Sequence, residues 1–270
     1  MALALALSAC TSEPAPISRH TEPKIVSLNP CSDAVLAEVA DPGQLLAISA
    51  WSQDPASSSM DLATARRFRA VGNSLEEVMA LRPDVVVTDA FLPAPTKAAL
   101  QRLGIGVVQL PIAHTVEESR DQVGQLARLA GHPERGHAML ARIDAVLASA
   151  APEPGSPPVP AVVWQSGGIV PGPDSLIGDL LRRTGYRNVA AERGMRQADF
   201  LPLEEMLADP PRVIFAAGNM ASQEDRLLSH PALEGLKQTR RETFDPSLLW
   251  CGGPSMGRAA ERLGQARRRL

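Results

Sequence analysis

The chain has 270 residues, 44% of them hydrophobic and 21% charged, with a formal net charge of -3. That length supports one large α/β domain or two lobes of ordinary size, each burying its own core. A near-neutral balance argues against nucleic acid as a partner, because phosphate binding needs a clustered basic surface, and no apolar run approaches the ~20 residues that span a bilayer.

The first ten residues, MALALALSAC, are apolar and end in Leu7-Ser8-Ala9-Cys10. Small residues before a cysteine resemble a bacterial lipobox, so Cys10 is expected to carry lipid and to be the only membrane attachment. No Lys or Arg precedes Cys10, as the positive start of a signal peptide requires, so a translation start upstream of Met1 is expected. The polar, Pro-rich run up to residue 23 reads as a tether.

From Lys24 short β-rich runs alternate with amphipathic stretches. KIVSL reads as a strand, 33–39 as a helix, LLAIS as a strand and VMALRPD as a helix end. DVVVTDA is a strand, TKAALQRLG a helix closed by Gly104, and GVVQLP a further strand. This rhythm implies a mainly parallel sheet with helices on its faces. Thr115 and Glu118 then form a capping-box signature. Apolar residues follow at helical spacing, at Val116, Val123, Leu126 and Leu129. Gly131-His132-Pro133 breaks the helix, which resumes to about Ala150. After the Pro-rich 151–160 the rhythm restarts: AVVWQ as a strand, SLIGDLLRRTG as a helix capped by Gly185, RVIFAAG as a strand, and PSMGRAAERLGQARRR as a last helix. The closing run Arg267-Arg268-Arg269 reads as a solvated basic helix face.

The fold class expected is therefore α/β, with two Rossmann-like lobes joined by a long broken interlobe helix. The boundaries are 1–23 for signal remnant, lipobox and tether, 24–114 for the first lobe, 115–150 for the interlobe helix and 151–270 for the second lobe. Residues 74–88, SLEEVMALRPDVVVT, and 202–216, PLEEMLADPPRVIFA, repeat one helix-strand unit in the two halves.

Catalytic machinery is hard to find. Gly253-Pro254-Ser255-Met256-Gly257 is a literal G-x-S-x-G before a helix, but no His follows Ser255 to act as base. A hydrolase using Ser255 is thus the weakest reading, and the protein is expected not to be an enzyme. GGIVPG, at 167–172, fits no phosphate-loop pattern and reads as a flexible turn. The histidines His20, His114, His132, His137 and His230 form no metal-ligand spacing, although His114 sits where a cleft edge is expected.

Aromatic residues make up only 3% of the chain, and all three tryptophans, Trp51, Trp164 and Trp250, fall at expected strand ends. Ligands of open parallel sheets bind beyond those ends, so the three rings are candidate walls for a bulky flat ligand. Arg196 and Phe200, just before the second LEE segment, join them as candidate ligand contacts. Cys31 follows the first strand and Cys251 precedes the last helix. Two buried or cleft-lining thiols are the favoured reading, and a cross-lobe disulfide is the alternative if their Cα atoms lie within ~7 Å.

KIVSLNPCSDAVLAEVADPGQLLAISAWSQDP resembles the opening of the periplasmic binding proteins for cobalamin and ferric siderophores. VGNSLEEVMALRPDVVV, the broken helix, SLIGDLLRRTGYRNVA and FLPLEEMLADPPRVIF are similar in the same order. The resemblance implies a periplasmic, monomeric binding subunit of an ABC importer that serves a permease and its ATPase. It implies a metal-chelate ligand, with corrinoid first, ferric siderophore second and haem third, and no resident metal or cofactor. Arg193 and Arg196 would suit an anionic siderophore, while Tyr186, the single Tyr, or a His would be needed as an axial donor to haem. Glu76 and Glu204 match the carboxylates that dock into permease arginines. A ligand-sensing lipoprotein without import is the alternative.

Overall fold

The computed structural model describes residues 22–72, 74–219 and 225–270; Cys10, His20 and the tether lie outside them. The chain opens with β1 (Ile25–Ser27), α1 (Pro30–Val39) and β2 (Leu45–Ser49), followed by a 3-10 turn (Ala50–Gln53). Next come α2 (Leu62–Ala65), β3 (Ala70–Val71), α3 (Leu75–Ala80), β4 (Val85–Asp89), α4 (Ala94–Arg102) and β5 (Gly106–Leu110). These five strands form one parallel sheet in the order β3-β2-β1-β4-β5.

α1 starts three residues earlier than the sequence suggested. Asn29 caps it by accepting the Cys31 amide at 2.7 Å, and Pro30 takes a first-turn position where its missing N–H costs nothing.

Two helices follow, α5 (Val116–Leu129) and α6 (Pro133–Ala150). Thr115 caps α5 by accepting the Glu118 amide. Gly131, at φ +84°, takes the left-handed turn that ends α5, and Pro133 starts α6. His132 at the break holds Asp41 through Nε2 at 2.8 Å.

The second half contains β6 (Val159–Gln165), β7 (Ile169–Pro171), α7 (Leu176–Arg183), β8 (Tyr186–Asn188), α8 (Val189–Glu192) and β9 (Ala198–Phe200). It closes with α9 (Leu203–Ala208), β10 (Val213–Ala217), β11 (Arg240–Phe244) and α10 (Pro254–Arg267). β11-β10-β6-β8 is a second parallel sheet, and β7-β9 is a small antiparallel ribbon. The segment 167–172, read from sequence as a flexible turn, therefore forms part of that ribbon. β11 was missed because RRETF is polar. Its Glu242 is nearly buried and pairs with Arg240, Arg262 and Arg269. The terminal arginines are correspondingly anchored rather than merely solvated: Arg267 and Arg268 donate to Pro157 O and Ser149 O.

One apolar core runs through both halves, from Ile25 and Val87 past Leu126 and Met139 to Phe215 and Leu263. α5, α6 and α10 thus bridge the two sheets, and smaller clusters cover each sheet's other face. The result is two parallel-sheet lobes on a shared helical spine.

Candidate ligand cleft

The links between the lobes come largely from segments that follow strand ends or open the spine. Cys31, just after β1, is joined by a disulfide to Cys251, after β11, with the Cα atoms 4.9 Å apart. The favoured expectation of two separate thiols is corrected, because the strand ends of the two lobes approach closely enough for the bond. Nearby, the Gly253 amide donates to Ser119 Oγ at 2.8 Å, and Arg258 donates to Ser59 O at 2.6 Å. On the other side, His114 Nδ1 lies 3.1 Å from Asp174 O and 3.3 Å from Gln197 Nε2. Asp179 accepts the Val116 amide at 3.0 Å, and Arg183 reaches Glu117. Burial opposes ionisation of Asp179, yet the Val116 amide, Arg183 and Arg182 hold its carboxyl below the usual range.

Six of the exposed large apolar side chains follow strands or stand on the ribbon, while Leu103 and Leu270 lie elsewhere. Trp51 follows β2, Phe91 follows β4, Ile112 follows β5, Ile169 and Phe200 stand on the β7-β9 ribbon, and Trp250 follows β11. All six are at least 45% exposed, in loops or ribbon at the strand ends of the two sheets. Exposed large apolar groups of this kind make these strand ends the candidate binding surface. A cavity of about 590 Å³ is lined by Phe91, Ile112, His114, Glu118, Gln122 and Gln125. Another, of about 960 Å³, lies past His114 beside the β8 edge and includes Asp174, Arg187, Arg196 and Gln197.

Trp164 is not a wall. It is fully buried, and its Nε1 donates to Leu201 O at 3.1 Å. β6 runs one residue beyond it, so strand alternation turns its ring into the sheet face rather than out of the strand end. Arg196 is exposed and paired with Asp174. Arg193 is committed to Val189 O and Asp209. Tyr186 donates its hydroxyl to Leu263 O at 3.0 Å and packs edge-on against Phe215; burial pushes its pKa up to about 12. Ser255 is buried and donates to Cys251 O at 2.7 Å, so it serves the helix start and not a nucleophile elbow.

Sequence reasoning missed Phe91, Ile112 and Ile169, although Phe91 directly follows a legible strand, the rule that singled out the tryptophans. It also missed Asp33, which is fully buried in the first half of α1. Asp33 Oδ2 accepts the Ser49 amide at 2.9 Å and the Ser52 hydroxyl at 2.7 Å, while Oδ1 has no hydrogen-bond partner. Burial pushes its pKa up to about 8, against the lowering influence of Ser27, Ser52 and Ser49.

Two α/β lobes share a helical spine and are tied together near their strand ends, with exposed apolar side chains beyond the strands of both. Residues 25–242 match the periplasmic binding protein family, and the chain belongs to it. A cobalamin-binding protein of Halobacterium salinarum (strain R1) is 24% identical over 222 residues, covering 79% of this chain and 58% of that protein. The chain thus spans less than two thirds of that relative's length. The periplasmic heme-binding protein RhuT from Roseiflexus sp. RS-1 superposes with a TM-score of 0.71 at 20% identity, over 91% of this chain and 97% of that one. The periplasmic vitamin B12 binding protein BtuF of Vibrio cholerae gives 0.69 at 18% identity, over 91% and 97%. At these identities the solved structures share the fold.

Proposed function

We propose that this protein is the extracytoplasmic substrate-binding subunit of an ABC importer and that it captures a corrinoid of the cobalamin type. The observation that carries the reading is the set of exposed Trp51, Phe91, Phe200 and Trp250 at the strand ends of both lobes. Large rings of this kind suit the broad apolar faces of a macrocycle. The curated relative's name, cobalamin-binding protein, points the same way. A ferric siderophore is less well served, because Arg193 and Arg196 are already engaged with carboxylates. Haem is the second reading, favoured by neighbours such as RhuT. With Tyr186 locked in the core, its axial donor would be His114.

Titration of the purified protein with cyanocobalamin and with haemin, followed by tryptophan fluorescence and visible absorption, tests this. Cyanocobalamin is expected to quench the fluorescence saturably, and Trp51→Ala or Trp250→Ala should each weaken binding by about 1–2 kcal/mol. No response to cyanocobalamin, together with a haem absorption shift lost in His114→Ala, would replace the corrinoid with haem.

Two further assignments belong to this reading. Glu76 and Glu204 are the permease-docking carboxylates, and Cys10, outside the described residues, carries the lipid anchor. Cys10→Ala should move the protein from the membrane fraction to the soluble one; retention on the membrane would remove the anchor.

A further inference from the structure

Trp51 and Trp250 belong to different lobes, yet both are held by the start of one helix. Trp51 lies between Ser49 and Ser52, and Asp33 Oδ2 accepts from both the Ser49 amide and the Ser52 hydroxyl. Inside that clamp Ser49 Oγ accepts the Trp51 amide at 3.3 Å, and Trp51 O accepts the Asp54 amide at 3.2 Å. The turn presenting Trp51 is thus closed at both ends by a single carboxyl oxygen. Two residues before Asp33, Cys31 is covalently tied to Cys251, the neighbour of Trp250. The Trp250 segment is fixed on its other flank too. Gly252 lies so close to Ser119 that a Cβ there would meet Ser119 Oγ at 2.0 Å, and Ser255 donates to Cys251 O.

Asp33 is a costly way to hold a turn. A fully buried carboxyl with one unpartnered oxygen is destabilising, and stability surrendered inside a well-packed lobe is commonly tied to function. The structural work visible at Asp33 is the restraint of the 49–52 turn. A cleft whose aromatic walls are fixed beforehand loses little ordering entropy when ligand arrives.

We propose that the first turns of α1 are the positioning element of the ligand cleft: Asp33 fixes Trp51, Cys31 fixes Trp250, and one rigid helix start sets the separation of the two rings. This rests on the proposed reading that both tryptophans touch ligand.

The test separates positioning from binding. In a Trp250→Phe background Trp51 is the one exposed tryptophan, since Trp164 is buried. Without any ligand, Asp33→Ala should lower the fluorescence anisotropy of Trp51 and raise its quenching by acrylamide. Asp33→Asn, which keeps a carbonyl acceptor, should restore both. With cyanocobalamin as probe and all three tryptophans present, Asp33→Ala should weaken affinity about tenfold, the loss of a well-placed aromatic contact. Added to Trp51→Ala it should weaken affinity no further, because the two act through the same ring. The double variant Cys31→Ser, Cys251→Ser should behave likewise towards Trp250→Ala. Should Asp33→Ala fail to fold, Ser52→Ala removes one clamp donor and is read in the same way.

Unchanged anisotropy in the clamp variants, or losses that add fully to those of the tryptophan variants, overturns the inference. If the tryptophan variants themselves bind cyanocobalamin normally, the cleft reading fails instead. The ligand-free anisotropy then decides the positioning role by itself.

Discussion

Reversing two charges, with Glu76→Arg and Glu204→Arg in one chain, is expected to abolish most transport and most stimulation of the importer ATPase. Ligand affinity should stay as it is. Glu76 and Glu204 are exposed, each the second residue of a six-residue helix that starts Leu-Glu-Glu, and neither enters a hydrogen bond or ion pair among the described residues. Each carboxylate gains about 0.3–1 kcal/mol from its helix N-terminus, so the reversal costs little stability. Ion pairs with a partner's arginines would instead fix orientation across a polar contact, and losing two of them at once is severe. Glu205→Arg is the matched control, an exposed carboxylate one residue along that should leave transport intact. Added salt should weaken wild-type docking, because exposed charge is screened within about 8–10 Å. Uptake at the wild-type rate by the double variant, at equal protein levels, sinks the docking assignment.

Asp33 makes the lobe lose stability as pH rises from about 4 to 8. Its pKa is pushed up to about 8 from an ordinary 3.8 by burial. Below about pH 4 the group is protonated in folded and unfolded chains alike. Between 4 and 8 the folded protein keeps the proton that the unfolded chain has released. Stability contributed by the neutral acid therefore falls as pH rises through this window, at a limiting slope of about 1.4 kcal/mol per unit. Asp33→Asn has no proton to lose and should be more stable than the wild type at pH 8, with the difference shrinking towards pH 4. Asp179, held low despite its burial by Val116 and the arginines, and Asp41, held low first by Arg135, act in the opposite sense. Their stabilisation is lost as pH falls through their depressed values, outside this window. Urea unfolding at pH 5, 6, 7 and 8 measures the difference directly, and parallel profiles for wild type and Asp33→Asn would refute a neutral buried acid.

Much of the fold was legible because its central strands carry continuous apolar runs. β1, β2, β4, β5, β6 and β10 read plainly, and so did the capping box and break of the spine. What escaped was structure decided by distant partners. β11 is polar in sequence and exists because Glu242 meets arginines from α10 and the chain end. The β7-β9 ribbon hides under glycine and proline that mimic a loop. Aromatic residues placed after strands by the sequence are exposed there in two cases, Trp51 and Trp250, which leaves them available as the ligand walls proposed above. The same placement failed for Trp164 by a single residue of strand length. Asp33 was invisible for a different reason: an acidic residue near a helix start reads as a solvated partner for the helix dipole. Only the packing of Ser49 and Ser52 over it shows otherwise.

The bond between Cys31 and Cys251 joins residues 220 positions apart. A chain crossing a membrane N-terminus first delivers Cys31 while most of the second lobe is still on the other side. The bond can close only when nearly the whole polypeptide has arrived, so export and oxidation must be complete before the two lobes are locked together. During that interval the remaining cysteine of the chain, Cys10, is the only internal thiol with which Cys31 could pair wrongly. Lipid attached to the Cys10 thiol, as proposed, would take that competitor out of the pairing.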